Sequence, residues 1–415
     1  MLAVALLALA APNLGQILDD PKLVGAHVSA YVCDLTGKVI FEKNSNSHVI
    51  PASNQKLFTG AFALFNLGPT YRPRTDIWKL FDRTVVDSPG DPLLTHELLS
   101  KAAQKLELNK KLDVYVKEAY APGIPDSWEI DDLPNKYAAP ITAFTVDHGA
   151  FELWNQNGKP KLIPESYGVK IVRELPFEPK FSSKYDPFEG KIQTVGYLPA
   201  EFKQLDTLAL AHPDAAAASV LGKLFVPSPD KPTTAPDLSI FGGDMVAMLK
   251  ACLPPSDNNV AENLFLMGAI KQGDLGLHPY EVARPRLTRF LIDTVGISEH
   301  DIRVFDGSGM SRHNLTTTRA LAKLLTWSQA QTTSDLWVSC LAVPGKGTLA
   351  NRLKGLDFHG KTGTLDMVVA LSGYVKTKSG QTLVVSVVLN DFLCPSEEAR
   401  GIADEFVRNI AELGD

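Results

Sequence analysis

Three short polar motifs follow one another along the 415 residues: Ser53-Asn-Gln-Lys56, Ser256-Asp-Asn258 and Lys361-Thr-Gly363. Ser256 lies 203 positions after Ser53, and Lys361 another 105 after that. For the three to act together, the fold must bring distant stretches to one place and accommodate a long insertion between the first two. That requirement narrows the architecture more than any local propensity. Each motif alone is weak, as two look-alikes show. Ser228-Pro-Asp-Lys231 repeats the first spacing, but prolines at 227, 229 and 232 forbid the helix that would put its serine and lysine on one face. Lys378-Ser-Gly380 repeats the third, inside a Thr-Lys-Ser-Gly-Gln run that reads as a turn between strands.

The two ends of the chain carry β pattern. Residues 25–45 read as a hairpin, with Ala26 to Cys33 going out, a turn at Asp34-Leu-Thr-Gly37 and Val39-Ile-Phe41 returning. Near the other end, Val368 to Leu371, Gly373 to Lys376 and Thr382 to Leu389 are β-rich, and a last amphipathic helix opens at Pro395-Ser396 with Ile402, Phe406, Val407 and Ile410 on one face. One antiparallel sheet with strands from both termini accounts for this pattern. A helix is expected over 53–67, with Leu57, Ala61, Leu64 and Phe65 on one stripe, ending near Gly68-Pro69. From about 75 to 235 the texture changes to short β-like stretches broken by Pro and Gly, and 227–236 reads as the returning linker. Helical patterning resumes at 240–252, 258–270, 278–295 and 316–330.

A serine hydroxyl is a poor nucleophile until a base removes its proton. Three residues apart at the start of a helix, Ser53 and Lys56 share a face, so the amine reaches the hydroxyl. Lysine serves as a base only when its pKa falls toward neutrality, and burial together with a second cation, Lys361, drives it that way. Ser256 and Asn258, after Pro254-Pro255, stand where a loop can point a hydroxyl and an amide inward. A helix cap is the plain alternative for that motif read alone. Lys361 with Thr362, Gly363 and Thr364 makes a cationic, hydroxyl-rich strand edge suited to a carboxylate. No G-x-S-x-G elbow accompanies His148, His313 or His359, which disfavours a Ser-His-Asp site. No H-E-x-x-H or clustered ligand pattern occurs, so neither a metal nor another cofactor is expected.

Composition excludes other classes. A net charge of −6 without a basic cluster argues against nucleic acid as a partner. No apolar run approaches the ~20 residues of a membrane span. Leu2 to Ala11, with Ala8-Leu9-Ala10, reads as the hydrophobic part of a short signal segment over 1–14, or as a buried N-terminal helix. Cys33, Cys252, Cys340 and Cys394 lie far apart without metal-ligand spacing.

With these residues in hand, the chain resembles the class C low-molecular-mass penicillin-binding proteins, the D-alanyl-D-alanine carboxypeptidase/endopeptidase family. The likeness extends beyond the trio to Pro51–Thr59, Gly90-Asp-Pro92, Tyr137–Ala143, Phe305–Leu315 and Leu341–Leu349. It implies an α+β fold: a serine β-lactamase/transpeptidase-like domain, an antiparallel sheet flanked by helices, with a large inserted β-rich region. The catalytic domain is expected to be split across 15–75 and 237–415, with the insertion at 76–236 and a smaller third domain nested at about 150–200.

The resemblance also implies roles. Ser53 attacks the carbonyl of a penultimate D-alanine, Lys56 takes its proton, and Ser256 and Asn258 carry the second motif's functions. Lys361, Thr362, Gly363 and Thr364 bind the terminal carboxylate, and the Ser53 and Thr364 N–H groups form the oxyanion hole. Asp132, next to Asp131 and five residues before Tyr137, meets the free amino group of a diaminopimelate-type stem. The substrate is then a peptidoglycan stem peptide, β-lactams trap the same serine, and the enzyme is extracytoplasmic, in the periplasm or cell envelope. The alternatives are a β-lactamase or related esterase, or a non-catalytic cell-wall-binding module, on the same fold.

Overall fold

The computed structural model describes residues 14–164, 169–173 and 180–414. Leu2 to Ala11 and the cleavage-like Ala8-Leu9-Ala10, on which the signal-segment reading rests, lie outside them. The described residues form two compact units. One takes the described residues up to Pro69, with Leu249–Asp257 and those from Arg284 onward, and the other takes the described residues within Thr70–Met248 and Asn258–Ala283.

The first unit is built on one antiparallel sheet whose strands run in the order Phe358–Leu365, Val368–Lys376, Thr382–Asn390, His27–Asp34, Val39–Lys43. Both chain ends meet in it, His27 pairing with Asn390. Its central strands are buried residue after residue rather than alternately, the pattern of a sheet covered on both faces. The C-terminal helix Ser396–Ala411 covers one face, where Ile402, Phe406, Val407 and Ile410 join Val385, Val387, Leu371 and Phe358 in one core. The helix Thr318–Gln329 covers the other. Tyr374 donates to Leu325 O at 2.7 Å there, and the Ser29 and Thr318 hydroxyls meet at 2.8 Å. Because side chains alternate, Lys361, Ser372 and Ser386, directly opposite one another in register, share this second face.

The helix Gln55–Leu67 follows a 3₁₀ turn at Ala52–Asn54 and is buried on every side from Gln55 to Leu64. Gly68 ends it at φ 84°, its N–H bonded to Leu64 O, and Pro69 follows. Phe65, expected on the buried stripe, is half exposed and packs its ring against Phe290 and Trp327.

The second unit holds a five-stranded mixed sheet in the order Phe225–Pro227, Val114–Glu118, Thr84–Ser88, Arg74–Lys79, Leu238–Phe241. Two three-stranded sheets lie between residues 150 and 209, sharing a small core of Phe151, Leu153, Tyr185 and Ile192. The helix expected from 240 begins only at Met245, because Leu238–Phe241 pairs as a strand with Arg74–Lys79. Gly242 then lets the chain pass close to Asp91: a Cβ there would lie 2.3 Å from Asp91 Oδ2. The seams expected at 75 and 237 thus fall within and just ahead of two strands that pair with each other.

This unit buries carboxyls. Glu118 accepts the Phe144 N–H at 2.8 Å, and burial, aided by the neighbouring charge of Asp214, pushes its pKa up to about 8. Asp91 is raised to about 6, again by burial. A carboxyl whose folded pKa is raised stabilises the fold fully below its unfolded value and loses that contribution as pH climbs through the folded value. For Glu118 the window runs from 4.5 to about 8. We expect Glu118→Gln to match the native protein near pH 4.5 and to exceed it above pH 8 by on the order of a few kcal/mol, read from urea midpoints at the two pH values.

Candidate active site

Pro51 and Ala52 bring the chain into the buried helix through an unusual turn. Ala52 has φ 46°, in the left-handed region that residues with a Cβ seldom adopt. Asn54 anchors the turn to the sheet: its Nδ2 donates to Ser372 Oγ at 2.8 Å, and Ser372 Oγ donates to Ser386 Oγ at 2.9 Å. Ser53 is half buried and Lys56 wholly buried. Their three-residue offset does what helical geometry demands, with Lys56 Nζ donating to Ser53 Oγ at 3.0 Å. The same amine donates to Ser308 O at 2.6 Å.

Ser256 sits after the helix Met245–Cys252, also with positive φ, at 65°. Thr348 N–H holds Pro254 O at 3.1 Å, and Gly347 fits against that same carbonyl, which a Cβ would meet at 2.5 Å. Lys361 Nζ donates to Ser256 Oγ at 2.8 Å and to Thr362 O at 2.8 Å. The second and third motifs are therefore joined directly.

Phe358–Leu365 is an edge strand of the sheet. Gly363 faces the turn before Ser53, where a Cβ would come within 2.9 Å of Pro51 O and 3.1 Å of Ala52 Cβ. Only a glycine lets strand and turn approach so closely. The strand's outer backbone groups pair with Ala342 at Gly360, and by the two-residue period Thr362 and Thr364 present theirs on that same edge. Thr364 is exposed, whereas the Thr362 hydroxyl donates to Thr348 Oγ1 at 2.8 Å.

Two lysine amines thus lie close together without solvent exposure. Burial, and then the positive charge of Lys56, hold the Lys361 pKa well below its ordinary 10.5. The described atoms unite Ser53 with Lys56, and Ser256 with Lys361, Thr362 and the Gly363 contact.

Asn258 and Asp132 belong to the second unit. Asn258 opens the helix Asn258–Ile270 and donates to Tyr137 O at 2.8 Å. The Tyr137 hydroxyl donates to Asp132 Oδ1 at 2.9 Å, and burial followed by that bond raises the phenol to about 12. Sequence reasoning missed Ser308 as a partner of Lys56. The bond uses a main-chain carbonyl, so no side-chain motif advertises it; only the Phe305–Leu315 block hinted that this stretch mattered.

The depressed Lys361 value has a testable sign. Between its folded pKa and 10.5 the unfolded chain binds the proton that the folded chain has lost, so stability rises with pH across that window. Lys361→Met is expected to lack this rise, measured as the difference in urea midpoint between variant and native protein at several alkaline pH values.

A sequence profile of the D-Ala-D-Ala carboxypeptidase 3 (S13) family matches residues 10–173 and 235–413. A D-alanyl-D-alanine carboxypeptidase of Actinomadura sp. (strain R39) is 27% identical over 461 aligned positions, covering 96% of this chain and 84% of that one. Among solved structures, penicillin binding protein 4 (dacB) from Haemophilus influenzae superposes with a TM-score of 0.79 at 20% identity, covering 96% of this chain and 98% of that one. The same Haemophilus protein complexed with a β-lactam gives a TM-score of 0.74 at 19% identity, with the same coverage. These two likenesses establish the fold, and the profile match establishes the family. The chain belongs to the D-Ala-D-Ala carboxypeptidase 3 (S13) family, the class C low-molecular-mass penicillin-binding proteins, and is a serine-type D,D-carboxypeptidase.

Proposed function

We propose that this enzyme cleaves D-alanyl-containing peptidoglycan stem peptides through an acyl-enzyme on Ser53, as a carboxypeptidase with endopeptidase capacity, outside the cytoplasm. The observation that carries the reading is the buried Lys56 amine 3.0 Å from the accessible Ser53 hydroxyl, with Ser256 and Lys361 joined beside a strand edge. Lys56 takes the Ser53 proton as Oγ bonds to the carbonyl carbon of the penultimate D-alanine. The carbonyl electrons move to an oxyanion held by the Ser53 and Thr364 N–H groups. When the C–N bond breaks, the proton taken up by Lys56 reaches the leaving D-alanine amine by way of the Ser256 hydroxyl, which gives one proton as it receives another. Water then hydrolyses the ester by the reverse relay.

Lys361, Thr362, Gly363 and Thr364 receive the terminal carboxylate, and Asn258 contributes its amide to the bound substrate. Asp132 receives a free amino group on the stem. β-Lactams, whose ring amide occupies the place of the scissile bond, acylate the same serine.

The test is incubation with labelled penicillin, followed by localisation of the adduct and assay of D-alanine release from a pentapeptide. A persistent adduct on Ser53 with D-alanine release supports the proposal. Rapid penicillin turnover without D-alanine release replaces it with a β-lactamase, and absence of any adduct replaces it with a binding module. Ser53→Ala is expected to abolish the adduct and lower D-alanine release by roughly a thousandfold or more while the thermal transition stays in place. Asp132→Asn is expected to raise KM for stems bearing a free side-chain amine and to leave KM unchanged for stems in which that amine is acylated. Equal KM changes for both stems contradict the Asp132 assignment.

A further inference from the structure

The loop 305–314 presents three consecutive carbonyls to one face of the buried helix. Gln55 Nε2 donates to Asp306 O at 3.3 Å, Thr59 Oγ1 to Gly307 O at 2.6 Å and Lys56 Nζ to Ser308 O at 2.6 Å. A peptide chain turns successive carbonyls outward in this way when its N–H groups are drawn inward. Here the Asp306 carboxylate, which is wholly buried, gathers them. Its Oδ1 accepts the Gly309 N–H at 2.7 Å and Asn314 Nδ2 at 2.8 Å, and its Oδ2 accepts the Ser311 N–H at 2.7 Å. Asn314 Oδ1 closes the loop by accepting the Phe305 N–H at 2.7 Å. Gly309, at φ 85°, presses against the turn before Ser53: a Cβ there would lie 1.9 Å from Ala52 O. One carboxylate therefore organises a loop that touches both the serine turn and the lysine amine.

We propose that Asp306 is a positioning residue for acylation, acting through the Ser308 carbonyl on Lys56. The proposal rests on the reading of Lys56 as the base. A neutral amine has two N–H bonds and one lone pair. Donating to Ser308 O restricts rotation about Cε–Nζ, so that the direction along which the ammonium donates to Ser53 Oγ is the one the lone pair takes in the neutral amine. Once the amine gains the serine proton it is an ammonium, and the bond to Ser308 O becomes charge-assisted and stronger. The carbonyl thus favours the transition state over the resting complex, the kind of interaction that speeds a chemical step without tightening binding. Asparagine at 306 turns an amide NH2 toward one of the backbone N–H donors, and the loop relaxes away from the helix.

The test separates the acylation rate constant k2 from the non-covalent constant K, using a fluorescent penicillin over a range of concentrations, with circular dichroism and melting as checks of the fold. We expect Asp306→Asn to lower k2 by about 10- to 100-fold, as a displacement on the order of 1 Å at a reacting group does, with K unchanged. Thr59→Val, which removes only the bond to Gly307 O and keeps the side-chain volume, is expected to lower k2 in the same sense but less. A folded Asp306→Asn protein with native k2 overturns the proposal, as does a change confined to K. Should Asp306→Asn fail to fold, Thr59→Val decides: lowered k2 with native K supports the proposal, and native k2 overturns it. Native protein that forms no Ser53 adduct removes the reading of Lys56 and this proposal together, an outcome distinct from normal native labelling with unaltered variants.

Discussion

Two lysine amines without solvent exposure in one pocket are the constraint around which the first unit is arranged. An isolated buried ammonium is costly, and two within repulsive reach are costlier. The protein answers with oxygen acceptors: Ser53 Oγ and Ser308 O for Lys56, Ser256 Oγ and Thr362 O for Lys361. These acceptors come from four separate stretches of chain, so the bonds to the two amines last only while those stretches hold position. Rigidity of the surrounding sheet and helix is thus a condition of the electrostatics. The Asn54–Ser372–Ser386 chain, driven from the serine turn into the middle of the sheet, ties the two together.

Strain and close approach gather at the same place. Ala52 and Ser256, each beside or within a serine motif, hold left-handed backbone conformations that cost free energy for residues with a Cβ. Gly309 and Gly363 sit where any side chain would strike the backbone of 51–52. Such conformations persist when packing over-determines them, and the buried run Gln55 to Leu64 with the two-sided core of the sheet does so here. Stability stored in the sheet is in this sense what keeps the serine turn in its unfavourable geometry.

Much of this was legible from the amino acids, for identifiable reasons. The C-terminal helix was readable because Ile402, Phe406, Val407 and Ile410 recur at helical spacing, and the Ser53–Lys56 contact because three residues along a helix fix it. The pairing of terminal strands followed from β-branched runs at both ends. Ile240 and Phe241 were misread as the start of a helix because the strand Leu238–Phe241 is too short to reveal a period, and its partner strand lies more than 150 positions earlier. Phe65 satisfied the helical stripe yet lies half exposed, since a stripe tells which residues align and not where the covering surface ends. The carbonyl of Ser308 was invisible for a deeper reason: every residue has a carbonyl, and its direction is a property of the fold.

A lysine in this position needs more enclosure than a histidine would. Its four-carbon stem has many rotamers, and its nitrogen spins freely, so nothing intrinsic aims the lone pair. The Phe305–Leu315 block supplies that aim through the main-chain carbonyl of Ser308. Gly309 follows from the job: without a side chain it bonds the Asp306 carboxylate through its N–H and still lies against Ala52 and Gln55. Outside the wrapped segment the block is braced by Arg284, whose guanidinium carbon lies 3.8 Å from the centre of the Phe305 ring and whose Nε donates to Phe305 O at 2.6 Å. A stretch rich in small and polar residues thus carries a geometric specification as strict as the three motifs it serves. The Asp306 carboxylate is turned inward, and the block meets the lysine through a main-chain carbonyl.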